Sequence, residues 1–283
     1  MSKISTLYPY PALAIDGIWN SKKHRYIVIS DLHIGFESEL YSKGITVNLS
    51  LQVDEMIKDT IKLVKIQKAD GIVILGDLKN TIGSISKQEW EWVPQFFKLI
   101  SESADVYMIP GNHDSNIRFL VPKNINMVST SGLVLDDTLL IHGHTMPLSI
   151  GSSIKRIIMG HLHPVFIKTC STLNGNRVWI YLRVKKHPIW PNIGGLLDII
   201  VVPSFNKHLF SMTERGYRKS ICPLTERVLK CNAVDRAAVT TLDGSIIGET
   251  DTIESILLQK ASSIPKLNLE VGSKRTDGGS VVL

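Results

Sequence analysis

Five short polar clusters in this chain carry residue types that bind metals or move protons, and each follows an apolar run. Asp31-Leu32-His33 follows Tyr26–Ser30, and Gly76-Asp77 follows Gly71–Leu75. Gly111-Asn112-His113-Asp114 follows Val106–Ile109, His142-Gly143-His144 follows Leu139–Ile141, and Gly160-His161-Leu162-His163 follows Ile157–Met159. On extended backbone, residues two apart point the same way, so Asp31 and His33 can reach one cation together. Gly111 is expected to adopt positive φ in a tight turn, crowding the next side chains into one spot. There Asn112 offers a neutral oxygen ligand, and His113 an imidazole that can carry a proton.

Asp31, His33, Asp77, Asn112, His142, His161 and His163 make two carboxylates, one amide and four imidazoles. That is too many ligands for one zinc and about enough for two cations. Asp77 is the natural bridge, with Gly76 clearing space where backbone must approach. A mixed nitrogen and oxygen set without thiolates suits Mn, Fe, Zn or Ni. Two such cations clamp the oxygens of a phosphate ester and acidify a shared water, whose bridging hydroxide attacks phosphorus in line. His113 is left over as the general acid for the leaving alcohol. His144 is open between a substrate or supporting contact and a plain loop histidine.

These clusters need strands that deliver them to one place. Tyr26–Ser30, Gly71–Leu75 and Val106–Ile109 are continuous, β-branched runs expected to be buried strands. Residues 45–69 carry apolar residues at helical spacing, including Val53, Ile57, Ile61 and Val64, and 84–101 form a second helical stretch, with Pro94 in an early turn or at a kink. Core packing is expected for Trp90 and Trp92 in preference to base stacking. Lys22–Arg25 reads as a charged turn, Asp136-Asp137 as a hairpin turn, and Lys185–Pro191 as an exposed basic loop with one aromatic. Strands follow at Val178–Leu182 and Leu196–Val202, and Asp243-Gly244 marks a hairpin within Ala238–Ile247. Strands alternating with helices, followed mostly by strands, predict an α/β sandwich of mixed sheets with helices outside, and the clusters sit where such sheets place sites, at strand carboxyl ends. Residues 1–258 are expected to form a single domain, with the β region from about residue 196 packing on or extending it, and 259–283 a flexible tail.

Hydrophobic content of 43% suits a globular protein and excludes a disordered chain. No apolar run approaches the roughly 20 residues of a membrane span, and the first ten residues lack the apolar core of a secretory signal, so a cytoplasmic location is expected. Three cysteines in no CxxC spacing argue against a disulfide framework and a zinc finger. The net charge of +6 is ordinary for solubility and equally suits phosphate-bearing partners, nucleic acid among them.

Taken in order, the five clusters resemble the motif series of calcineurin-like metallophosphoesterases over residues 26 to 164. The resemblance implies a four-layer α/β/β/α sandwich with a dinuclear centre. It implies Asp31, His33, Asp77 and His163 at one metal, Asp77, Asn112, His142 and His161 at the other, and His113 as the catalytic histidine. Ile29–Glu37, Gly44–Val47, Leu75–Leu78, Gly160–Pro164 and Val202–Phe205 further resemble the ICC-like, DNA-ligase-associated subgroup, which implies Mn and phosphodiesterase or nuclease activity. One departure is Asn80, where many members carry an acid that orients the catalytic histidine. Asn80 can still accept a hydrogen bond from imidazole, and Asp114 is available as a substitute.

The expected activity is hydrolysis of phosphodiesters, cyclic nucleotides or nucleic acid. A phosphomonoesterase on nucleotides or proteins is the alternative, and a metal-binding scaffold without catalysis the second. A phosphate-ester substrate is the expected partner, without a membrane. A homo-oligomer is left open, and DNA-repair partners follow from the resemblance alone.

Overall fold

In the computed structural model, period-2 alternation along the strands splits the apolar residues between two faces of two sheets. The structure describes residues 2–19, 22–42, 44, 49–168, 170–209 and 222–248. The first sheet contains β1 (Lys3–Thr6), β2 (Leu13–Trp19), β3 (Lys22–Ile29), β4 (Gly71–Leu75), β5 (Asp105–Ile109) and β6 (Asn126–Met127), in that spatial order. The second contains β7 (Leu133–Leu135), β8 (Thr138–Ile141), β9 (Arg156–Met159), β10 (Val178–Lys185), β11 (Leu196–Val201), β12 (Val234–Thr241) and β13 (Ile246–Gly248), ordered 13-12-10-11-9-8-7. Both are mixed: β3 through β6 run parallel beside an antiparallel β1-β2 flank, and β8, β9 and β11 run parallel within antiparallel neighbours.

Val28, Val73, Leu75 and Ile109 of the first sheet meet Leu140, Ile158, Trp179 and Ile200 of the second in a buried layer between the sheets. The alternate residues Ile27, Ile29, Ile72, Ile74, Val106 and Met108 face outward onto helices α2 (Leu49–Gln67) and α3 (Lys87–Ser101). On the far side, Ile157, Met159, Ile180 and Ile199 pack against Leu224 and Val228 of α4 (Pro223–Lys230). The result is an α/β/β/α sandwich, strands buried on both faces, as their unbroken β-branched runs require. Among the described residues no helix is long and apolar enough to cross a membrane.

Several local expectations change. Lys22–Arg25 is the start of β3, not a turn, because the chain pairs there with β2. Trp90 stands 53% exposed on α3; only Trp92 packs against the core. The Lys185–Pro191 segment is not an open basic loop. Lys186 is buried with Nζ donating to the Ile154 carbonyl, and Trp190 is buried with Nε1 donating to that of Pro147. Only Lys185 and His187 of its cationic residues face solvent. The second helix begins at Lys87 behind a Ser86–Glu89 capping box and runs on through Pro94. The expected start of the first long helix at 45–48 and the expected tail at 259–283 lie outside the described residues.

Helix α1 (Glu37–Ser42) is a short element that no periodicity announced. Its first residue, Glu37, is buried, and neither carboxylate oxygen meets a hydrogen-bond partner among the described residues. Burial pushes this carboxyl from 4.5 up to about 7. A raised acid favours the protonated fold, so its stability is full below 4.5 and is lost as pH rises through about 7. Glu37→Gln should remove this loss, opening a gap over the parent protein of up to about 3 kcal/mol by pH 8. Thermal unfolding of both proteins from about pH 5 to about pH 8 checks it; parallel pH profiles would contradict it.

Candidate metal centre

Each of the five clusters leaves the carboxyl end of its strand, and the parallel runs β3-β4-β5 and β8-β9 place all of them at one edge of the sandwich. Asp31 (φ 58°), His33 (φ 44°), Asp77 (φ 49°), His161 (φ 70°) and His163 (φ 42°) are left-handed, half of the ten non-glycine residues so described. Such backbone costs energy for a residue with a Cβ and persists only where its surroundings dictate it. Gly111 does not have the positive φ expected of it. Its role is space: a Cβ there would stand 2.2 Å from Asp77 Oδ1. A Cβ on Gly76 would stand 2.5 Å from His142 Nδ1 and 2.7 Å from Gly111 N, so both glycines let the strand ends close on one another.

Two groups of side chains form, and Asp77 belongs to both. The first comprises Asp31, His33, Asp77 and His163. His163 Nε2 lies 3.2 Å from Asp31 Oδ1 and 3.3 Å from His33 Nε2, which is 3.6 Å from Asp77 Oδ2. The second comprises Asp77, His142 and His161, joined by Asn112. His142 Nε2 lies 3.2 Å from Asp77 Oδ2, 3.2 Å from Asn112 Oδ1 and 3.1 Å from His161 Nδ1. Asp31, His33, Asp77, His142 and His161 are buried, whereas Asn112, His113, His144 and His163 line the half-buried mouth.

The donor set fits divalent cations on its hydrogen-bond inventory. His142 Nδ1 lies 2.6 Å from the Leu75 carbonyl, which only accepts, so Nδ1 carries the hydrogen and Nε2 of the neutral ring presents a lone pair. That lone pair faces acceptor oxygens of Asp77 and Asn112 and a second imidazole nitrogen. His33 repeats the arrangement, its Nδ1 donating to Asn80 Oδ1 at 3.2 Å while Nε2 faces Asp77 and His163. Lone pairs that converge without hydrogens to share are what a cation satisfies, and imidazoles oriented by a carbonyl on their far nitrogen are the usual ligand arrangement. His161 Nε2 is also buried, without a hydrogen-bond partner among the described residues.

The electrostatics point the same way. Burial pushes His33 down to about 3, and burial together with His142 pushes His161 down to about 4, so both rings are neutral donors. Burial would lower His142 too, but the Asp77 and Asp31 carboxylates outweigh it and raise it to about 9, so its Nε2 lone pair is presented once a cation takes the place of that proton. Burial likewise opposes ionisation of Asp77, yet His142 and His33 hold it well below the usual carboxylate range. The two carboxylates thus draw positive charge to this spot.

His113 stands beside these groups. Its backbone N–H donates to Asp77 Oδ1 at 2.8 Å, and its ring meets that of His33 edge-on at 4.7 Å. Its Nδ1 makes a short hydrogen bond to the Asn80 backbone carbonyl. This revises the expected role of Asn80, whose main chain holds His113 while its side chain holds His33. Asp114 does not substitute: its carboxylate accepts from Leu78 N, Lys79 N and Gly111 N, tying the 111–114 turn to the Asp77 loop. Burial, then Asp77, pushes Asp114 up to about 6. The His144 ring lies 5.2 Å from that of His142, with a buried Nδ1 that has no hydrogen-bond partner among the described residues.

Sequence reasoning missed the supports. Glu89 accepts from Asn80 N, Thr81 N and Ser86 N, fixing the loop that presents the Asn80 carbonyl; the Ser86-x-x-Glu89 pattern was the available signal. Ser30 Oγ donates to Asp31 Oδ2 at 2.7 Å.

Among solved structures, Pseudomonas putida nuclease MPE is 19% identical, covering 73% of this chain and 88% of its own, with a TM-score of 0.44. Yfce, a phosphoesterase from E. coli, is 15% identical, covering 80% and 97%, with a TM-score of 0.36. Neither likeness is close enough to bear on the site, and no curated protein matches the chain. The calcineurin-like phosphoesterase profile matches residues 24–178, more than half of the chain and a span that contains every cluster described above. The chain belongs to the calcineurin-like phosphoesterases, a family of phosphate-ester hydrolases.

Proposed function

We propose that this protein hydrolyses phosphodiesters, with a pair of divalent cations held by Asp31, His33, Asp77 and His163 on one side and by Asp77, Asn112, His142 and His161 on the other. The observation that carries the reading is the sharing of Asp77 between two converging donor groups. Mn is the favoured metal for a nitrogen and oxygen set of this kind, by resemblance to the ICC-like subgroup. When bound, such a pair neutralises phosphoryl oxygens and supplies an activated water. The residues do the rest. Asn80, through its backbone carbonyl, keeps a hydrogen on His113 Nδ1, leaving Nε2 to hand a proton to the departing alkoxide. The half-buried mouth admits the ester, while the buried floor keeps the carboxylates from bulk water.

Support for a diester over a monoester comes from the net charge of +6 and from the subgroup resemblance; the buried Lys186 and Trp190 withdraw the support that Lys185–Pro191 was expected to lend. Hydrolysis of bis(p-nitrophenyl) phosphate beside p-nitrophenyl phosphate, in metal-stripped protein re-supplied with Mn, tests the choice. Faster diester hydrolysis is expected. Preference for the monoester would move the reading to a phosphomonoesterase.

Cation binding should also stabilise the fold. A ligand at 100 times its Kd contributes about 2.7 kcal/mol. At about 2–4 °C per kcal/mol, chelation should lower Tm by about 5–10 °C. Calorimetry with and without chelator checks this, and an unchanged Tm would count against cations bound to the folded state.

A further inference from the structure

Strand β11 ends as the cluster-bearing strands do, in a polar turn, Val202-Pro203-Ser204-Phe205-Asn206. We propose that Asn206 is a positioning residue for the cation site on the Asp31 side, holding the Asp31-Leu32-His33 backbone in the shape that binding requires. The inference rests on the two-cation reading above.

Three successive carbonyls of the Asp31 loop are taken up by this one turn. Phe205 N donates to Ser30 O at 2.8 Å, Asn206 N makes a long bond to Asp31 O at 3.4 Å, and Asn206 Nδ2 donates to Leu32 O at 2.8 Å. On the opposite side, Asp31 N and His33 N donate to the carbonyls of Gly76 and Asp77 at 3.2 and 2.9 Å. The loop is therefore clamped from both flanks. Leu32 lies between two left-handed residues, Asp31 and His33, so Asn206 Nδ2 bonds at the centre of the strained stretch. Strain of that kind survives only where its surroundings over-determine it.

Asn206 is itself held. It is 1% exposed, and its Oδ1 accepts from Gln52 Nε2 of α2 at 2.6 Å and from His208 N at 2.9 Å. Arg177 donates to the Ser204 and Phe205 carbonyls at 3.0 and 3.1 Å, fixing the rest of the turn. Both ends of the amide are in use, one as donor and one as acceptor. A carboxylate at this position would set an oxygen against the Leu32 carbonyl. A tie that merely closed the end of β11 would affect stability alone; a tie that shapes Asp31 and His33 affects one cation more than the other.

The test uses the full chain, stripped of metal and titrated with Mn, with bound Mn per chain and both affinities read by calorimetry. Asn206→Ala and the isosteric Asn206→Asp should weaken one of the two Mn by about 10–100-fold and leave the other unchanged. Val228→Ala, in the buried face of α4 on the far sheet, should lower Tm while keeping both affinities. Wild-type Mn affinities in the Asn206 variants, or equal weakening at both sites, would overturn the proposal. Wild-type protein that fails to bind two Mn would overturn the two-cation reading, and this inference with it.

Discussion

Asp77→Asn protein should bind fewer than two divalent cations per chain and lose turnover on the order of 10³-fold. Asp77 is the one carboxylate common to both donor groups, with Oδ2 3.2 Å from His142 Nε2 and 3.6 Å from His33 Nε2. The amide is nearly isosteric, so Gly111 and Gly76 still clear its space, and the change is one of charge. A neutral oxygen between two cations forfeits attraction to both, and several kcal/mol of lost charge stabilisation amounts to three orders of magnitude in rate. Metal analysis after dialysis and the steady-state rate are the readouts. Retention of two cations at wild-type affinity would refute the bridging role.

His113→Ala should keep both cations and lose about 10²–10⁴-fold in turnover of esters with poor leaving groups, while losing far less with p-nitrophenolate. The divergence follows from what His113 touches. Its ring hydrogen-bonds the Asn80 carbonyl and packs edge-on to His33, whereas the donor atoms of the two groups are complete without it. A nitrophenolate departs without needing a proton; an alkoxide does not. Equal rates on an alkyl diester for variant and parent would remove His113 from the acid role.

Much of the sandwich was legible because its central strands are buried on both faces. Runs such as Tyr26–Ile29 and Ile72–Leu75 must be apolar throughout, and each stops abruptly at a polar cluster. The clusters stood out for the same reason: carboxylates and imidazoles beside apolar runs are costly unless something satisfies them. What escaped was either short or long-range. Helix α1 has six residues, too few for a periodicity, and α4 is eight residues without a long apolar pattern. Asn206 lies 174 positions from the carbonyl it bonds, and no local pattern reports that contact. Asn80 was expected to act through its side chain, but the 80–86 loop, gathered on Glu89, turns its backbone carbonyl to His113 instead. Lys186 and Trp190 looked like an open basic loop because composition does not reveal that a lysine finds a buried carbonyl.

The most direct test of the account is a single titration of metal-stripped protein with Mn, following bound Mn per chain and hydrolysis of bis(p-nitrophenyl) phosphate together. Two equivalents bound, with hydrolysis rising as the pair fills, is the predicted result. Two equivalents bound without hydrolysis of either this diester or p-nitrophenyl phosphate would contradict it, and so would hydrolysis complete at one.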